Sequence, residues 1–112
     1  MRSEVEEIYQ LHAEICQALA DPKRLLILNA LRNGRRSVGE LVAALDLRQA
    51  NVSQHLGVLR QRSMVVAERE GAQVYYHLAH PKIIQALDIL REVLAEQLAR
   101  KAELHDAYRE AL

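Results

Sequence analysis

Apolar residues recur at intervals of three and four in the first twenty positions. This spacing predicts an amphipathic helix over residues 5–19, with charged residues around a narrow apolar face. Because so narrow a face suits a single partner helix, we expect it to form an interface. The face carries Val5, Ile8, His12, Ile15 and Leu19.

Two further helices are predicted from the residues that begin and end them. Asp21 is a favourable N-cap and Pro22 fits the first helical position, while Gly34 ends the segment. Ser37 and Glu40 have the spacing of a capping box, in which each side chain binds the other residue's backbone amide. The sequence therefore predicts a second helix after Asp21 and a short third helix after Ser37.

A fourth helix is predicted over Gln49–Gln61, after a turn at residues 46–48. Val52, Leu56 and Leu59 form its buried stripe, so its polar side chains project outward. Two short helices joined by a turn form a helix-turn-helix, whose second helix presents its first turns to the base edges of DNA. Asn and Gln can bind adenine with two hydrogen bonds, and Ser and His can contact bases or phosphates. The predicted base contacts are Gln49, Asn51, Ser53, Gln54 and His55.

Arginines flank these polar residues and are predicted to contact the phosphate backbone. An ordinary solvated helix face is the alternative interpretation of the same residues. The capped helix before them and the strand pair after them favour DNA binding. The flanking arginines are Arg48, Arg60 and Arg62.

The pattern changes after Ser63 to that of a β-hairpin. Residues 64–70 and Gln73–Leu78 flank Gly71 and Ala72, and the second run alternates apolar and polar positions. We expect this hairpin to be the wing of a winged helix-turn-helix.

A last helix begins at Pro81 and is predicted to run to near residue 112, a length of about 45 Å. A helix this long cannot bury its apolar stripe on so small a domain alone. We therefore expect the first and last helices to form the interface of a homodimer, leaving the middle of the chain free for DNA. The predicted interface residues of the last helix are Leu87, Leu90, Leu94 and Leu98.

Composition agrees with a single, mainly α-helical domain over residues 1–112. Half the residues are apolar, yet Phe and Trp are both absent, so the core consists of small aliphatic side chains. The charged N-terminus and the lack of a long apolar run predict neither a signal peptide nor a membrane span. With Cys16 as the single cysteine, no internal disulfide can form, and we expect a cytoplasmic protein.

The net charge of zero conceals an uneven distribution. Residues 21–73 carry nine Lys and Arg against five acids, whereas the segments on either side are net acidic. A dimer doubles this excess to about +8, enough to neutralise several phosphates. The distribution predicts double-stranded DNA as the partner.

Several ordered motifs along almost the whole chain resemble the ArsR/SmtB family of small winged-helix repressors. The resemblance implies a homodimer through the first and last helices, repression at a partly palindromic operator, and release by an inducer, commonly a metal, a metalloid or a thiol-modifying species. The motifs are Leu19-Ala20-Asp21-Pro22-Lys23-Arg24-Leu25-Leu26-Ile27-Leu28, Ser37-Val38-Gly39-Glu40-Leu41, Val52-Ser53-Gln54-His55-Leu56 with Leu59-Arg60, Glu70-Gly71, and Val74-Tyr75-Tyr76-His77-Leu78.

Two positions depart from the family's DNA-binding pattern. Ser63 stands where the family usually has Gly after the recognition helix, so this turn must be closed without the residue that best adopts a left-handed conformation. Ala72 stands at the wing tip where the family often has Arg. This leaves Arg69 and Gln73 as the predicted wing contacts.

The family's two familiar metal sites are absent. Ser37 and Gly39 occupy the positions of the arsenic-binding cysteines, and the zinc pattern that starts at Asp88 lacks three of its four ligands. We therefore expect no required cofactor.

His12 and Cys16, four residues apart on one helical face, remain as candidates for sensing together with His105. Three interpretations stay open: a structural histidine with a buried thiol, a thiol-based sensor, and a metal site shared between two chains.

An enzyme is not predicted. His12 and Cys16 have no orienting acid, and the chain has no phosphate loop or Gly-rich turn that could form an oxyanion hole. The alternative to a DNA-binding regulator is a winged-helix module that binds another protein. Such a module has no reason to keep residues 49–54 polar and flanked by arginines.

Overall fold

The computed structural model describes residues 3–111, which form helices with one small antiparallel sheet. Their order is that of a winged helix-turn-helix, as predicted, with one additional short strand before the third helix. The bounds are α1 Glu4–Leu19, α2 Pro22–Ala30, β1 Arg36–Ser37, α3 Val38–Leu45, α4 Gln49–Gln61, β2 Val65–Glu70, β3 Gln73–Leu78 and α5 Lys82–Ala111. Two compact units contain these elements: one ends at Pro81, and the other begins with α5.

Side chains cap the first three helices. Asp21 accepts the amides of Lys23 and Arg24, and Ser37 and Glu40 form the predicted capping box. A second capping box, between Ser3 and Glu6, begins α1 and was not predicted. Each cap satisfies backbone amides that have no partner within the helix, which contributes about 1 kcal/mol.

The core of the first unit lies between α2, α3 and α4. Ile27 and Leu28 of α2, Leu41 of α3, and Leu56 and Leu59 of α4 are fully buried. Each such side chain contributes about 1.5 to 3 kcal/mol when it leaves water. Because this face of α4 is packed against the core, its opposite face is held toward solvent.

The wing is a sheet with strand order β1-β3-β2. The short strand β1 was not predicted, because its two residues are too few to show a periodic pattern. Arg36 pairs with Tyr76 and Ser37 with Tyr75, and Ser37 also caps α3. Ser37 therefore belongs both to the sheet and to the start of α3.

Ser63 ends α4 in the left-handed conformation, with φ of 59°. Its amide donates to the carbonyl of Arg60, and the amide of Met64 donates to that of Leu59 at 2.9 Å. These two bonds are those of a Schellman motif, which normally has Gly at this position. The prediction that this turn is closed without Gly is confirmed.

The second unit is the single helix α5, 30 residues long. Ile84 and Leu87 near its beginning are buried, whereas Leu90, Leu94 and Leu98 are exposed. Within residues 3–111, no helix combines the length and the apolar character needed to cross a membrane.

Candidate nucleic-acid interface

The outward face of α4 is polar and exposed. Gln49, Ser53 and Gln54 lie on its first two turns, and Arg60 lies on the same side near its end. Three of the five predicted base contacts are therefore placed in solvent, where they could reach a DNA groove. Arg48, also exposed, stands at the N-cap position.

The beginning of α4 differs from those of α1, α2 and α3. Within residues 3–111, no side chain accepts a hydrogen bond from its first amides, because Arg48 at the N-cap is a donor. Free amides at a helix N-terminus attract anions such as phosphate. The end of α4 nearest the predicted base contacts therefore suits a nucleic-acid backbone.

His55 is less accessible than predicted, because polar groups at the start of α2 lie against it, and a base contact at this position stays a prediction. Its Nδ1 lies 3.4 Å from Nη1 of Arg24, and its Nε2 lies 3.9 Å from Oδ1 of Asp21. Only 15% of its side chain is exposed. Asn51, one turn earlier on the same flank of α4, is half-buried. Helical spacing placed both residues on the polar side of α4, but the part of the helix surface that carries His55 faces the start of α2.

The carboxyl group of Asp21 is held in its charged form. The amide of Arg24 donates to this carboxylate and is the main cause of a pKa below the usual value, and the amide of Lys23 acts in the same direction. Desolvation opposes these effects, while the nearby His55 and the Arg24 guanidinium add to them. Asp21 is therefore a fixed negative charge beside the half-buried His55.

Arg62 is engaged within the protein. Its Nη1 donates to Oε2 of Glu14 in α1 at 3.2 Å. About half of the Arg62 side chain is exposed. A phosphate contact at this position therefore competes with the ion pair.

The two predicted wing contacts lie on opposite faces of the hairpin. Gln73 pairs across the strands with Glu70, whereas Arg69 pairs with Val74. Residues that face each other across a pair share a side of the sheet, and neighbours along a strand alternate. The face of Gln73 is acidic, with Glu68 and Glu70, so Arg69 marks the face better suited to phosphate.

Strand β1 and the residue before it add two arginines that were not predicted as part of the site. Arg36 shares a face of the sheet with Arg69, because it pairs with Tyr76, which in turn pairs with Ala67. Arg35 forms an ion pair with Glu70 and lies 4.2 Å above the ring of Tyr75. No sequence signal indicated either role, since both depend on the pairing of β1 with β3.

Most residues of the predicted dimer interface are exposed apolar side chains. On α1, Val5, Ile8 and Ile15 are exposed together with His12, and Leu19 is half-buried. Tyr9 and Leu11 are also exposed, so the apolar face of α1 is wider than predicted. An exposed apolar surface of this kind marks an interaction site.

The predicted interface residues of α5 differ in their exposure. Leu90, Leu94 and Leu98 are each more than half exposed. Leu87 is buried within the single chain and has little surface left for a second copy. Leu104 and Tyr108 extend the exposed apolar series toward the end of the helix.

The predicted sensing residues lie on the surface. Cys16 and His12 are exposed on α1, and His105 is exposed on α5, with its Nδ1 3.9 Å from Asp106. In the part of the chain that the structure describes, His, Cys, Asp and Glu side chains form no group of three or more that could hold a metal ion. A sensing role for these residues stays a prediction.

Comparison with known proteins gives a consistent result. Residues 21–65 match the model of the bacterial regulatory protein, arsR family. The chain is 44% identical over 105 residues to Rv0081 of Mycobacterium tuberculosis, named an uncharacterized HTH-type transcriptional regulator, and the match covers 92% of both proteins. It is also 44% identical over 78 residues to the biofilm growth-associated repressor of Agrobacterium fabrum, covering 70% of this chain and 67% of that protein.

Solved structures extend the similarity to the fold. The crystal structure of Rv0081 from M. tuberculosis superposes with a TM-score of 0.76 at 42% identity, over 85% of this chain and 96% of that one. The solution structure of Mb0332 from Mycobacterium bovis, described as a homodimeric winged helix-turn-helix DNA-binding domain, gives a TM-score of 0.77 at 28% identity, over 88% and 91% of the two chains.

Proposed function

Since the chain belongs to the ArsR family of bacterial regulatory proteins, we propose that it is a dimeric transcriptional repressor that binds operator DNA through α4. The observation that carries this proposal is the division of α4 into two faces. Val52, Leu56 and Leu59 are fully buried, which fixes the helix, while Gln49, Ser53, Gln54 and Arg60 are exposed. Amide and hydroxyl groups on a rigid helix can select bases in the major groove.

Phosphate contacts supply the remaining affinity in this proposal. Arg48 and Arg60 lie at the two ends of the exposed face of α4, and Arg69 lies on the wing. Gln73, on the opposite face of the wing, is a weaker candidate because Glu70 is its cross-strand neighbour. Contacts to the backbone position the protein and make binding salt-dependent, but they do not select a sequence.

Dimerisation is proposed through the exposed apolar faces of α1 and α5. Val5 and Ile8 on α1 and Leu90 and Leu94 on α5 are each more than half exposed in the single chain. Mb0332, which has a similar fold, is described as homodimeric. A symmetric dimer presents two copies of α4 and therefore binds an operator with two related half-sites. We propose further that binding requires no cofactor and that the protein acts in the cytoplasm.

Gel-shift titrations with the DNA upstream of the protein's own gene test this proposal. Sedimentation of the same preparation should give a dimer. We expect a shift that outlasts competition by random-sequence DNA and weakens steeply as salt rises. A protein without any salt-sensitive, sequence-selective shift would be better explained as a protein-binding winged helix.

Substitutions on α4 locate the contacts. Gln54→Ala and Ser53→Ala should each weaken operator binding by about 1 to 3 kcal/mol, because each removes a hydrogen bond to a base edge, and should leave non-specific binding unchanged. Gln10→Ala is the matched control, since Gln10 is exposed on α1 away from its apolar face. If all three variants bound operator like the parent, α4 would not be the reading helix.

A further inference from the structure

The end of α1 is capped by a side chain from α2. Nε of Arg24 donates to the carbonyl of Ala18, and its Nη2 donates to that of Gln17 at 3.1 Å. The carbonyl of Ala18 has no partner within a continuing helix, because the residue four positions on is Pro22, which lacks an amide hydrogen. A cation is favourable at the C-terminal end of a helix, and the last turn of α1 has no basic residue of its own.

The same guanidinium also contacts α4. Its Nη1 lies 3.4 Å from Nδ1 of His55, and the side chains of Arg24 and His55 are both only 15% exposed. Because a guanidinium can only donate, a hydrogen bond between these two atoms uses Nδ1 as the acceptor. The other ring nitrogen, Nε2, lies 3.9 Å from the Asp21 carboxylate, a distance of electrostatic attraction and not of a hydrogen bond. One arginine thus joins the end of α1 to α4.

A second polar contact joins α4 to α1. Nη1 of Arg62 donates to Oε2 of Glu14 at 3.2 Å. His55 and Arg62 lie two turns apart on one side of α4, which is about 10 Å along the helix. Glu14 and Ala18 lie one turn apart on one side of α1. Two contacts at this separation fix the orientation of α4 relative to α1, whereas a single contact would allow the two helices to rotate about it.

We infer that Arg24 is a positioning residue for operator recognition, which sets the orientation of α4 relative to α1 through His55, with the Glu14–Arg62 pair as the second attachment. The inference rests on the proposed function. Because α1 carries the proposed dimer face, its angle to α4 sets the separation and tilt of the two recognition helices. Selective base contacts depend on that geometry, whereas attraction between arginines and phosphates does not.

Arg24→Lys tests the inference, because lysine keeps the charge but cannot bind two carbonyls and a histidine with one planar group. We expect its affinity for the selected operator to fall about tenfold, as when one well-made base contact is lost. Its affinity for random-sequence DNA at the same salt should stay within about twofold, since the charge is unchanged. Arg32→Lys is the matched control, because Arg32 is exposed just after α2, lies outside the proposed DNA and dimer contacts, and donates locally to Oδ1 of Asn29.

A pair of substitutions at His55 separates positioning from packing. Asn places an amide oxygen close to the position of Nδ1, so His55→Asn should keep most of the operator affinity. His55→Leu fills a similar volume without an acceptor and should reproduce the Arg24→Lys loss. Equal losses in the Asn and Leu variants would instead show that packing, or a direct contact of the ring with DNA, is what matters.

Amide exchange in the DNA-free protein gives a readout that does not depend on the operator. In Arg24→Lys we expect faster exchange in the last turn of α1 and around residue 55, with unchanged rates in β2 and β3. A parent protein without selective DNA binding would reject the proposed function, and these exchange rates would still decide whether the link exists. Parent-like operator affinity in Arg24→Lys, or equal losses of selective and random-sequence binding, would overturn the inference.

Discussion

Replacing Ser63 with glycine should stabilise the protein. Ser63 holds φ of 59° at the end of α4. This conformation costs an L-residue about 1 to 2 kcal/mol because Cβ approaches the backbone. Glycine avoids that strain but loses about 0.5 to 1 kcal/mol more chain entropy on folding. The expected net gain in the free energy of unfolding is therefore about 0.75 kcal/mol, the difference between the midpoints of these two ranges.

The interactions around Ser63 that stabilise the turn are kept when the residue is glycine. The hydrogen bonds of the turn come from the backbone of Ser63 and Met64, so glycine retains both of them. Leu59 and Met64, whose contact usually accompanies this turn, are both buried and do not change. Ser63 itself is exposed, so its side chain leaves no cavity.

Urea unfolding followed by circular dichroism measures the effect. The midpoint should rise at constant slope, and the melting temperature should rise by a few degrees, roughly 2 to 4 °C, with protein concentration held fixed because a dimer unfolds in a concentration-dependent way. Ser63→Ala is the control, since it removes the hydroxyl but keeps Cβ. A glycine variant no more stable than the alanine variant would refute the strain argument.

Two further substitutions are informative. Gly57→Ala should raise the free energy of unfolding by about 1 kcal/mol, because alanine is the better helix former and a Cβ at this exposed position of α4 meets nothing within 4 Å; a fall in the urea midpoint would contradict this. Asp21 has a lowered pKa in the folded protein, chiefly through the amide of Arg24. Its stabilising contribution is therefore complete above the unfolded pKa of about 4 and is lost as pH falls further. Asp21→Asn keeps a capping side chain but removes the charge. The difference in the free energy of unfolding between the parent and this variant should therefore be larger at pH 6 than at pH 3. An equal difference at both pH values would show that the charge has no role.

Periodicity and capping residues predicted the helix-turn-helix well. The spacing of Val52, Leu56 and Leu59 predicted the extent of α4, and the capping box predicted the start of α3, because both signals are local in sequence. Strand β1, which the sequence did not predict, pairs with β3, about forty residues later in the chain. Local patterns contain no information about such a partner.

The candidate site was predictable only as far as it depends on one helix. Spacing correctly placed Ser53 and Gln54 on the outward face of α4. It could not show that His55 is half-buried, because Arg24, which lies against it, is 31 positions away in the sequence. Arg62 shows the same limit, since its partner is 48 positions away. Long-range polar contacts decide which polar residues of a helix are available to a ligand.

The register of the wing determines how it can meet DNA. Arg36 and Arg69 occupy one face, whereas Glu68 and Glu70 occupy the other, with Arg35 bound to Glu70. The hairpin thus carries a charge dipole across its thickness. A polyanion such as DNA will favour the orientation of the wing in which the arginine face is turned toward it. Because adjacent residues alternate between faces, a slip of one residue in the pairing of β2 and β3 would reverse that dipole and turn acidic side chains toward the phosphates. The loop at Gly71 and Ala72 therefore fixes the polarity of the wing as well as its shape.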